Sequence, residues 1–73
     1  MTTEETPATL GQRVKLLRTQ AAMTQMELAH KAGLNQITIV RTEAGLSPRP
    51  LTIKKLARAL GVRPQVLTTG VPA

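Results

Sequence analysis

Apolar residues return at helical spacing five times along this 73-residue chain, and each return is bracketed by residues that start or stop a helix. Leu10, Val14, Leu17 and Ala21 form the first stripe, with Leu16 beside it. Thr9 and Gln12 precede it with the spacing of a capping box, so a first helix is predicted through about Gln20. Gly11 weakens its first turn. Thr24 and Glu27 repeat the capping box, and Met23 with Leu28 can close over it as a hydrophobic staple. Leu28, Ala29 and Ala32 share one face of this second helix, which Gly33 ends by taking the left-handed conformation.

The third helix starts almost at once. Asn35 is a good N-cap, Leu34 and Ile39 form a second staple, and the pattern runs from Gln36 to about Glu43 before Gly45 stops it. Two short helices joined this tightly must cross at a steep angle, the geometry of a helix-turn-helix. The small Ala29 lets the two pack closely. With Leu28, Ala29, Ala32, Leu34 and Ile39 turned inward, the third helix points Gln36, Ile37, Val40 and Arg41 outward.

The segment LSPRP then predicts an extended connection, because each proline biases the residue before it away from the helix. Thr52 is read as the cap of a fourth helix, Ile53 to Leu60, with Ile53, Leu56, Ala57 and Leu60 on one stripe and Gly61 as its stop. Lys54, Lys55 and Arg58 decorate its outside as a solvated face that attracts at long range. Pro64 suits the first position of a fifth helix, PQVLTT, ended by Gly70. Val62, Val66 and Leu67 there can cover the core or a partner. The expected organisation is all-α: a flexible N-terminal arm at 1–8, one domain over 9–69, and a frayed end at 70–73.

Composition narrows the chemistry. The chain has no aromatic residue and no Cys, so its core is built of Leu, Val, Ile, Met and Ala, with neither disulfide nor thiolate metal site. A core this small makes a dimer more plausible. The net charge is +6, and since Glu4 and Glu5 sit in the arm, the rest opposes ten basic residues to two acidic ones. Such a field attracts polyanions, nucleic acid first and an anionic membrane second. The membrane ranks lower because the first and fourth helices need their apolar stripes for the core. No run approaches the roughly 20 apolar residues of a bilayer span, and the first residues lack the pattern of a signal peptide, so the expected location is the cytoplasm.

Catalysis has little to work with. One His (His30), one Ser (Ser47) and no Asp or Cys cannot assemble a nucleophile, base and orienting acid, so no enzyme is expected. His30 is read as a surface residue, with no neighbouring ligands for a metal. The glycines fall at or near helix ends rather than in a phosphate-cradling loop, and no cofactor is implied.

The outward set of the third helix carries the functional expectation. Exposed Gln and Arg are ordinary solvated residues, and two apolar residues three apart are more often core than contact surface. Yet Leu34 and Ile39 already claim the buried side, which leaves Ile37 and Val40 flanked by an amide and a guanidinium. An amide offers a paired donor and acceptor to adenine, a guanidinium offers paired donors to guanine, and aliphatic groups pack on thymine methyls, a mixture that suits a major groove. A protein-interaction module of the same fold should instead carry acids or a broad apolar patch there. Ile37 with Val40 keeps that alternative open.

Gln25 opening the second helix, the spacing of Leu28, Ala29 and Gly33, Ile39 in mid-helix, and Glu43 with Gly45 closing the third helix resemble the Cro and lambda repressor-like (Xre-type) DNA-binding domains. Arg18 and the run LTIKKLARALGV extend the resemblance over about residues 9 to 69. Thr42 departs from it, since the family usually places a large apolar residue immediately before the Glu. The resemblance implies a compact five-helix fold and a transcriptional regulator, usually a repressor, bound to double-stranded DNA. In that reading Gln25 bonds a phosphate; Asn35, Gln36, Ile37, Val40 and Arg41 face bases or the adjoining backbone; and Arg49 grips phosphate from the loop after the third helix. Arg18 is expected to pair with Glu43. A homodimer through the C-terminal helix, with Val66 and Leu67 at the contact, would read a pseudo-palindrome. Proteins resembling this family include phage repressors, antitoxins with a toxin partner, and controllers of restriction-modification genes.

Overall fold

Two reciprocal caps fix where the chain enters its first two helices. In a computed structural model, which describes residues 9–70, α1 spans Leu10–Gln20 and α2 spans Gln25–Ala32. Thr9 Oγ1 accepts from the Gln12 amide at 3.1 Å while Gln12 Oε1 accepts from the Thr9 amide at 3.2 Å. Thr24 and Glu27 make the same exchange at 3.0 and 2.8 Å. Each box satisfies two amides that a helix start leaves without partners, worth about 1 kcal/mol. The arm expected at 1–8 and the last three residues of the frayed end lie outside the described residues.

α3 spans Gln36–Glu43, α4 spans Pro50–Leu60 and α5 spans Pro64–Thr68; the described residues contain no strand. Asn35 holds the N-cap position of α3 in extended backbone, but its side chain makes no capping bond. The start of α4 corrects the sequence reading. Arg49, not Thr52, is the N-cap, and Thr52 lies inside the first turn. Proline at the first helical position lacks only an N–H that would have no partner there, and its ring presets the helical φ, so Pro50 opens the helix instead of delaying it. Arg63 and Pro64 begin α5 in the same way, and that helix closes one residue earlier than expected, at Thr68.

Four helices end on one motif, in which an amide just past the helix end reaches back to the carbonyl five positions earlier. For α2, α3 and α4 the donors are Leu34 to Ala29, Leu46 to Arg41 and Val62 to Ala57, at 2.8 to 3.0 Å. The intervening residue in each is a glycine at positive φ. For α1 the bond runs from Met23 to Arg18 at 3.0 Å, and the residue at φ 58° is Ala22. A methyl group in that conformation costs about 1 kcal/mol.

Each helix sends a residue to one core: Val14 from α1, Leu28 and Ala29 from α2, Ile39 from α3, Leu56, Ala57 and Ala59 from α4, and Leu67 from α5. α1 packs on α3, α4 and α5, while α2 rests on α3 and α4. Gly11 explains how closely α1 approaches α3. A Cβ there would lie 2.1 Å from the carbonyl oxygen of Thr42, so the residue read as a weak first turn is what lets the two helices meet. Thr42 itself is buried at that contact. At the other side of α1, Arg13 Nη1 donates to the Leu67 carbonyl at 2.8 Å, placing a cation on the electronegative end of α5.

Candidate nucleic-acid interface

The two sides of α3 differ sharply in exposure. Ile39 is fully buried, whereas Ile37 is 51% exposed and Val40 37% exposed. Asn35, Gln36 and Arg41 are also exposed, so the structure brings the expected outward set onto one uncovered face. With 3.6 residues per turn, positions 36, 37, 40 and 41 share a side that positions 39 and 42 oppose. The apolar groups on this face remain in water among an amide and a guanidinium, where no neighbouring helix covers them.

The end of α3 is anchored by a charge network. Arg18 Nε donates to Glu43 Oε2 at 2.6 Å and Arg18 Nη2 to Glu43 Oε1 at 3.0 Å, a two-point pairing of guanidinium with carboxylate. The Glu43 side chain is only 5% exposed. A carboxylate at a helix C-terminus is disfavoured by the dipole, and the guanidinium supplies the compensation. Hydrogen bonding to Glu43 raises the pKa of Arg18 beyond what burial takes away, and the carboxylate's charge adds to the rise. The guanidinium therefore stays charged at any neutral pH, and the stability it contributes is lost only as pH climbs through the raised value in extreme alkali.

Two further positions flank this face. Gln25 lies at the start of α2, half-buried, with its Nε2 donating to Glu43 Oε1 at 3.1 Å. Arg49 is exposed at the N-cap of α4, whose first turn carries no acid, so the guanidinium and the positive end of the helix act on the same space. Between α3 and α4 opens a groove of about 470 Å³ lined by Thr38, Arg41, Ser47, Arg49 and Thr52 among others. Four hydroxyl residues line it, Thr38, Thr42, Ser47 and Thr52, and none of them was assigned to a groove from the sequence. The three-residue step from Thr38 to Arg41 on one helix is the signal that links the first of them to the guanidinium.

Other expectations fall elsewhere. Leu67 is fully buried in the core, which removes it from any subunit contact; of the pair assigned to one, Val66 alone is partly exposed. His30, Lys54, Lys55 and Arg58 are exposed, and among the described residues no cluster of three or more metal-binding side chains occurs. No helix of the described residues is long and apolar enough to cross a membrane.

Two short helices locked across a tight turn, the second with a bare face of hydrogen-bonding and aliphatic groups, define a helix-turn-helix domain built to meet a surface. Residues 14–67 match the helix-turn-helix family model, and the chain belongs to that family, the lambda repressor-like class of DNA-binding regulators. Solved structures agree. The restriction-modification controller protein C.AhdI from Aeromonas hydrophila is 34% identical, with a TM-score of 0.78 over 82% of this chain and 92% of that one. The N-terminal DNA-binding domain of SinR from Bacillus subtilis is 30% identical, with a TM-score of 0.76 over 80% and 87%. The P22 c2 repressor protein, solved with a synthetic operator, shares the fold at 23% identity and a TM-score of 0.80, over 86% and 97%.

Proposed function

We propose that the protein is a sequence-specific regulator of transcription that binds double-stranded DNA with α3 in the major groove and acts as a repressor. The uncovered face of α3 carries this reading: Gln36, Ile37, Val40 and Arg41 are exposed while Ile39 is sealed in the core. Gln36 and Arg41 supply the hydrogen-bonded readout, Ile37 and Val40 pack on thymine methyls, and Asn35 meets bases or the backbone beside them. Gln25 and Arg49 hold phosphates on either side, reinforced by the starts of α2 and α4. The charge network at Glu43 fixes α3 against α1 and α2 so that this face keeps its orientation.

One such helix reads only about four or five base pairs, so the protein acts as a homodimer on a pseudo-palindrome with half-sites roughly one helical turn apart. A contact through α5 rests on Val66, the partly exposed member of the pair. The likeness to a restriction-modification controller and to SinR supports a regulatory role in the cytoplasm.

Selection of bound sites from random duplex DNA tests the proposal. Recovery of a pseudo-palindromic consensus is the expected result. A second reading, a partner-binding module such as an antitoxin, draws on the exposed Ile37 and Val40. It predicts no consensus from the selection and loss of partner binding in Ile37→Asp.

A further inference from the structure

Glu43 has a second neighbour that a helix clamp does not require. Its Oε1 accepts from Gln25 Nε2 at 3.1 Å as well as from Arg18 Nη2 at 3.0 Å, while Oε2 takes Arg18 Nε. Arg18 Nη1 also donates to the Met23 carbonyl at 2.8 Å, in the turn immediately before α2. Three helices therefore converge on one buried carboxylate, and the residue they orient is the first of α2.

We propose that Glu43 is a positioning residue for DNA-backbone binding, holding the Gln25 side chain ready for a phosphate. The inference rests on the reading of Gln25 as a phosphate contact. A carboxylate accepts hydrogen bonds and cannot donate, so it turns the nitrogen of the Gln25 amide toward itself and engages one of its two hydrogens. The other hydrogen remains to be used. The capping box already occupies the amides of Thr24 and Glu27, which leaves those of Gln25 and Met26 without partners in the helix at the same helix start. Arg18 neutralises the carboxylate, so an approaching phosphate meets amide donors and no net negative charge. Fixing a long side chain before the ligand arrives removes an ordering cost from binding.

The experiment is a double-mutant cycle in affinity for duplex DNA of arbitrary sequence, at low temperature with folding checked by circular dichroism. Gln25→Ala should weaken binding roughly tenfold, the scale of a hydrogen bond to a charged group. Glu43→Gln offers one amide oxygen to three donors, and with Arg18 holding it Gln25 is released. It should lose a similar factor, and adding Gln25→Ala to it should lose nothing more. Losses that multiply would overturn the proposal and leave Glu43 a purely structural residue. No loss in Gln25→Ala alone would overturn the phosphate reading as well. Should Glu43→Gln not fold, side-chain amide NMR of the unmutated protein decides. One Gln25 Nε2 proton should be shifted and rigid in the free protein, and the other should move when DNA is added. A mobile, unshifted amide before DNA is added would overturn the proposal.

Discussion

The inner and outer sides of α3 carry opposite demands on the same eight residues. Inward, Ile39 and Thr42 are almost without exposure, and the partly buried Glu43 holds a guanidinium and an amide from two other helices. Outward, Ile37 and Val40 keep a large share of their surface in water. Burying a side chain of that size is worth about 1.5 to 3 kcal/mol, so leaving two of them bare forgoes stability in a domain that has little to spare. The lesson is that inner positions set whether the helix exists and outer positions set what it touches. Substitutions on the two sides should separate cleanly in their effects.

The largest effect should come from the inner side. Ile39→Ala removes a fully buried side chain and should cost about 3 kcal/mol, against a total expected for such a domain of roughly 4 to 11 kcal/mol. Urea unfolding measures it, and a change below about 1 kcal/mol would mean the inner face is not the core. Next is Gly11→Ala. The new methyl would meet the Thr42 carbonyl at 2.1 Å, and parting α1 from α3 should cost about 2 kcal/mol by the same assay. On the outer side, Arg41→Ala should reduce affinity for the selected site by about 1 to 3 kcal/mol and relax the preference at one base pair. Its unfolding free energy should move by no more than about 0.5 kcal/mol. Equal losses of stability and affinity would erase the distinction between the faces. The smallest effect is a gain: Ala22→Gly relieves a left-handed alanine at φ 58° and should stabilise by roughly 0.5 to 1 kcal/mol with affinity unchanged.

Most helix limits were legible because their causes are local. A capping box acts over three residues, and Gly33 closes α2 where the apolar stripe ends, so α1, α2 and α3 could be bounded from neighbouring side chains alone. At α4 two local signals competed. Thr52 is a familiar cap, but Pro50 had already set the helical φ two residues earlier. What remained hidden depends on distance in the chain. Gly11 is explained by a carbonyl on α3, Arg13 by carbonyls 54 and 55 residues away, and Gln25 by a carboxylate 18 residues on. Ala22 was hidden for another reason: nothing in an alanine announces a left-handed backbone, which the turn into Met23 imposes. At the candidate site, exposure of the outward set followed from helical period once Ile39 was placed inside. The hydroxyls of Thr38, Ser47 and Thr52 needed α3 and α4 to be set side by side.

The central claim is that α3 leaves its aliphatic and hydrogen-bonding groups bare because base-pair edges cover them. Methyl-detected NMR of Ile37 and Val40 during titration with a selected duplex tests this most directly. The account predicts large shifts of both methyl sets and intermolecular NOEs to thymine methyl groups in the major groove. Methyls that stay unmoved while only Lys54, Lys55 and Arg58 respond would contradict it, since attraction by charge alone would then explain the binding.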